Sequence, residues 1–239
     1  YLDTFLKSLS QFAIKEDELN QSNFDEIILK KIEELKSLRD DFIEFLDVYL
    51  TYSVKFDHER IHTFFEKLLS YLENLDDYNY PSNSFGYLKS DNFRFFYYEL
   101  FLTFATIMTQ RERFEELAFI LQTPFIAEKK NSGELVQSTF SEFRHYVSSL
   151  NEHRNNKYQL NRVSVTADLI KQRAGEKYGF ELLKNTDILL YYLSLLFPNN
   201  KSYSQRYWFP ETSCYRNWRM RILPKTVSER YFNKVKVLF

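Results

Sequence analysis

His58-Glu59-Arg60-Ile61-His62 is the string in this chain whose residue types and spacing match a known reaction. On a helix, imidazoles four positions apart lie one turn apart on one face and can share a zinc ion. The glutamate between them can take a proton from metal-bound water. His58 and His62 would then be the ligands and Glu59 the base. A second group, from Glu142 to Arg162, holds Arg144, His145, His153, Arg154, Lys157 and Arg162. An arginine and a histidine reaching one phosphodiester could cleave RNA, but Arg144 and His153 have eight residues between them, which puts them on opposite faces of a continuous helix. The third group lies near the C-terminus, where Arg206, Arg216, Arg219, Arg221 and Lys225 alternate with Tyr203, Tyr207, Trp208, Tyr215 and Trp218. Rings that stack on bases and cations that neutralise phosphates suit single-stranded nucleic acid. Two carboxylates, Glu99 and Asp187, stand in strongly apolar surroundings and are expected to be buried structural groups paired with arginines of the C-terminal stretch.

The HExxH string resembles that of the zincin metallopeptidases, over these five residues. The resemblance implies a zinc peptidase with His58 and His62 as ligands and Glu59 as base. Arg60 brings a charge inside the motif, and Leu68 stands where a metzincin-type third histidine would fall. Glu66 or Glu73 could be the missing carboxylate, and the spacing selects neither. The alternative expectation is a pair of surface histidines in the first turns of a helix, with no metal. Helical ribonucleases of the HEPN class use an Arg and a His at a shorter interval than that between Arg144 and His153, so their motif is not met.

The near-neutral total charge of −1 conceals a split. Residues 1 to 110 carry 11 Lys and Arg against 20 Asp and Glu, a net of −9; residues 111 to 239 carry 21 against 13, a net of +8. Either the halves fold against each other or a basic face meets an anionic partner. The single cysteine, Cys214, excludes an internal disulfide framework and fits a reducing, cytoplasmic compartment. The apolar runs Phe95 to Met108 and Ile188 to Phe197 are shorter than the roughly 18 residues a bilayer requires, so a soluble chain without a membrane partner is expected. Tyr1 opens the sequence without a basic-then-apolar leader, which reads as a module of a longer protein.

Four glycines and five prolines are too few for a many-stranded protein with tight hairpins. Ile28, Ile32, Leu35, Phe42, Phe45, Leu46 and Tyr49 recur at helical steps and predict one long amphipathic helix over 23–53. Asp57 predicts an N-cap for a helix reaching about Leu75. Residues 90–110 are apolar nearly all round, as in a central helix surrounded by others. Shorter helices are expected over 112–122, 137–150, 164–176 and 186–197, with a last one from Val227. Ser164 or Thr166, and Asn185 or Thr186, are the expected caps, and Asp168 and Asp187 are expected in first turns.

The expected architecture is therefore an all-α, compact multi-helix bundle: a single helical domain over 1–239, with a long amphipathic second helix, an apolar central helix and an irregular basic C-terminal segment. A sub-boundary would fall near 77–91. The expected role is a non-catalytic interaction or scaffolding module without a cofactor, contacting a protein partner or flanking domains of its own chain. The alternative is a nucleic-acid-binding domain, nuclease-associated in a bacterial defence-type system, that uses Arg206, Arg216, Arg219, Arg221 and Trp218 on RNA or single-stranded DNA. The zinc peptidase stands third.

Overall fold

The computed structural model describes residues 1–15, 18–20, 22–53, 55–76, 85–128, 133–197 and 207–214. Helices α1 (Leu2–Ser8), α2 (Phe24–Tyr52), α3 (His58–Asp76), α4 (Asp91–Gln110) and α5 (Phe114–Gln122) come first. A two-stranded antiparallel hairpin, β1 (Phe125–Glu128) and β2 (Leu135–Ser138), follows. A 3-10 turn at Phe140–Phe143 and a π-helical turn at Ser149–Arg154 lead into the short α6 (Asn155–Lys157), then α7 (Val165–Arg173) and α8 (Phe180–Leu196). The chain is mostly helical.

α4 is the axle of the fold. Its residues from Asp91 to Thr109 are buried apart from Arg94, with α2 packed on one side and α8 on another. A helix this enclosed must satisfy its own hydroxyls. Thr103, Thr106 and Thr109 do so by donating to the carbonyls of Glu99, Leu102 and Ala105, at 2.7, 2.8 and 2.6 Å. The core around α4 is largely phenyl rings. Phe101 stacks on Phe143 with centroids 4.5 Å apart, and Phe65 meets Phe101, Phe104 and Phe143 edge-on.

Two expected caps are present as hydrogen bonds. Asp57 Oδ1 accepts from the Arg60 amide at 3.0 Å, and Ser164 Oγ accepts from the Ala167 amide at 2.9 Å. Helix α8, in contrast, starts at Phe180 with Gly179 as N-cap, so Asn185 and Thr186 cap nothing and Asp187 lies in mid-helix, away from the dipole terminus.

The helix expected over 137–150 is replaced by the end of β2, the 3-10 turn, an irregular stretch over 144–147 and the start of the π-helical turn. Phe140, Phe143, Val147 and Leu150 recur at helical spacing and are all buried, yet successive non-α turns deliver them to the core. The fold is thus helical with one small sheet, rather than purely helical. β1 turns Phe125 and Ala127 inward and leaves Ile126 and Glu128 in solvent. Among the described residues, no helix is long and apolar enough to cross a membrane. The helix expected from Val227 and much of the stretch 77–91 lie outside the described residues.

Candidate functional site

The HExxH helix turns its histidines toward aromatic rings. His62 is buried and stacks on Phe125 with centroids 4.4 Å apart, its Nε2 lies 3.3 Å from the Thr123 carbonyl, and its Nδ1 lies 3.7 Å from Glu66. His58 packs against Phe119 at 4.1 Å, and Glu59 is exposed. The expectation that both histidines lie on the surface is therefore corrected for His62, whose ring is part of the α3–β1 interface. Among the described residues, no three His, Cys, Asp or Glu side chains are grouped to hold a metal ion.

The basic stretch 142–162 does not converge on one point. Arg144 Nη2 donates to Glu211 at 2.5 Å. Arg154 and Lys157 both donate to the buried Asp25, at 2.5 and 2.8 Å. Arg162 pairs with Asp168 at 3.0 Å, and His153 Nε2 lies 2.7 Å from the Tyr87 hydroxyl. Burial would raise the Asp25 carboxyl, but hydrogen bonds from Lys157 and Arg154 outweigh it and hold the group below the usual carboxylate range.

Glu99 anchors the first of two buried polar nodes. Arg173 grips it with two parallel bonds, Nε to Oε1 at 2.8 Å and Nη2 to Oε2 at 2.9 Å. Arg39 Nη1 adds a third at 2.8 Å and also reaches the Arg173 carbonyl at 2.9 Å. Asp40 and Glu33 take the outer faces of the two guanidiniums. Glu99 was expected to meet arginines of the C-terminal stretch, and its partners instead come from α2 and α7.

The second node surrounds Asp187, which is fully buried and, among the described residues, takes its hydrogen bonds from Tyr98, Trp208 and Thr212 rather than from an arginine. Trp208 Nε1 donates to Oδ1 at 2.6 Å. Oδ2 receives the Tyr98 hydroxyl at 2.8 Å, the Thr212 amide at 2.9 Å and the Thr212 hydroxyl at 2.6 Å. Burial pushes this carboxyl up to about 6, against hydrogen bonds from Thr212, Trp208 and Tyr98 that favour the ion. The neighbouring Glu211 accepts from Arg144, Asn151 (2.9 Å) and Ser164 (2.6 Å), so residues 208–214 are strapped to α4, α7, α8 and the π-helical turn. Asn151 in turn caps α7, its Oδ1 accepting the amides of Val165 and Thr166 at 2.9 and 3.1 Å. Cys214 ends the strap, its thiol pushed up to about 12 by burial and by Glu211 and Asp187.

Ion pairs thus join the two halves of the charge split. Asp25, Glu33, Asp47 and Glu99 of the acidic half meet Arg154, Lys157, Arg173, Arg111 and Lys177 of the basic half. On the outside, the last turns of α8 show a different character. Tyr192, Leu195 and Leu196 are 49%, 44% and 59% exposed at positions i, i+3 and i+4 of one helix face. Sequence reading missed this stripe because the run Ile188 to Phe197 is apolar all round, which gives no sign of which face stays outside. Arg206, Arg216, Trp218, Arg219 and Arg221 lie outside the described residues. No protein-family model, no curated protein and no solved structure matches this chain.

Proposed function

We propose that this chain is a helical interaction module that binds a protein partner through the C-terminal end of α8. The observation that carries the reading is the solvent-facing stripe of Tyr192, Leu195 and Leu196, on a helix whose opposite face is held by Leu190, Leu193 and the Asp187 node. Aromatic and aliphatic side chains grouped on one helix face gain free energy when a partner covers them. Among the described residues, the ion pairs between the halves support a protein partner over a nucleic acid, because Arg111, Arg154, Lys157, Arg173 and Lys177 face the chain's own carboxylates and contribute little to phosphate binding.

Crosslinking mass spectrometry in the cells of origin tests this, with the wild type compared to Leu195→Glu/Leu196→Glu. The expected result is a set of crosslinks to one protein from Lys184, within α8, and Lys171, which packs over Phe180 at its start, lost in the variant while the melting temperature is unchanged. Crosslinks that persist in the variant would refute the assignment.

A further inference from the structure

The two edges of the β1–β2 hairpin are treated differently. Along β1, the outward groups are capped by one polar face of α3. Glu66 Oε1 accepts the Ile126 amide at 2.9 Å, Ser70 Oγ accepts the Glu128 amide at 3.2 Å, and Asn74 Nδ2 donates to the Glu128 carbonyl at 3.2 Å. Glu66, Ser70 and Asn74 are spaced by four, so a single row of α3 closes this edge. These contacts fix the ladder's phase: Ile126 and Glu128 point outward, and so do their partners across the register, Gln137 and Leu135. On the β2 side no protecting row exists among the described residues. Gln137 is exposed, Leu135 is 65% exposed, and the strand Leu135-Val136-Gln137-Ser138 contains none of the charges, prolines or glycines that blunt an open edge.

We propose that β2 is a self-pairing edge, through which two copies of this chain join their hairpins into one four-stranded antiparallel sheet. A twofold axis at Val136 sets Leu135 opposite Gln137 of the second copy, and Gln137 opposite its Leu135. Both are outward-pointing residues, so each pair exchanges two main-chain hydrogen bonds. The same register places Val136 against its own copy on the inner face and brings the two Leu135 side chains together diagonally on the outer face. It sets Glu134 opposite Ser138, so no carboxylate meets another. Strands this short bury far less than the roughly 1,200 Å² of a stable complex, which places the contact in the weak, reversible class.

Sedimentation velocity of the full chain over a concentration series tests the proposal. Two variants accompany the wild type. Gln137→Pro removes an amide that points away from β1, leaving the bonds of the Phe125–Ser138 and Ala127–Val136 pairs intact. Leu135→Lys charges a solvent-exposed position of the edge and keeps the test decisive if the proline variant fails to fold. The expected result is a sedimentation coefficient that rises with concentration for the wild type and stays at the monomer value for each folded variant, with the melting temperature of Leu135→Lys unchanged. A wild type still monomeric at about 1 mM, or one that dimerises equally in the Leu135→Lys variant, would overturn it. So would a dimer that dissolves only on Leu195→Glu, because self-association would then belong to α8.

Discussion

Glu99 shows what a single buried charge demands. Its carboxylate neutralises part of two guanidiniums that are themselves nearly inaccessible, those of Arg39 and Arg173. Removing it leaves those cations facing each other, and breaking such a buried pair costs about 3–5 kcal/mol. Glu99→Ala is expected to lose stability on that scale in urea unfolding, far more than the loss for exposed Glu59→Ala. Asp187 carries a pH signature of its own. Its carboxyl titrates near 6 in the folded chain, against an ordinary value of 3.8. Between those values the folded state keeps a proton that the unfolded state has released. Stability from this group is therefore present below about pH 4 and lost as pH rises toward 6, by an amount on the order of 3 kcal/mol. Asp25 and Asp47, held below the usual carboxylate range, act with the opposite sign: the stability they supply is lost as pH falls. Unfolding free energies of wild type and Asp187→Asn from pH 4 to 6.5 separate the two. The difference between the curves should change across that window, and parallel curves would contradict the assignment.

At the scale of the element, α3, α4 and α7 were legible because local rules and tertiary packing agree. Asp57 and Ser164 cap helices as their residue types demand, and the all-round apolarity of 90–110 does correspond to an enclosed helix. The Ser164 hydroxyl accepts from the Ala167 amide and donates to Glu211, so Ser164→Ala is expected to cost about 1–2 kcal/mol, at the upper end for an N-cap. A loss no larger than that of an exposed serine such as Ser37→Ala would show that the cap is unimportant. The hairpin was not legible. Its strands of four residues are too short for an alternation signal, and Phe140, Phe143, Val147 and Leu150 imitate a helical period across turns of other pitch. The polar nodes were legible only as residue types. Burial of Glu99 and Asp187 follows from their apolar neighbours, whereas their partners depend on contacts 21 to 89 positions away in sequence, which local spacing does not encode.

At the scale of the molecule, the charge split is expressed, among the described residues, as contacts between the two halves. The basic second half places Arg154, Lys157, Arg173, Arg111 and Lys177 on carboxylates of the acidic first half, and the strap at 208–214 ties the chain back onto α4 and α8. On this account these cations serve the fold, and the surfaces proposed for partners are the apolar end of α8 and, for a second copy of the chain, the β2 edge. Fluorescence anisotropy of a labelled single-stranded RNA, titrated with the whole chain over a range of salt concentrations, tests that division of roles most directly. The account predicts no saturable binding at physiological ionic strength. Tight binding whose logarithm falls steeply with the logarithm of salt concentration, and which disappears in Arg216→Glu/Arg219→Glu/Arg221→Glu while the melting temperature holds, would contradict it.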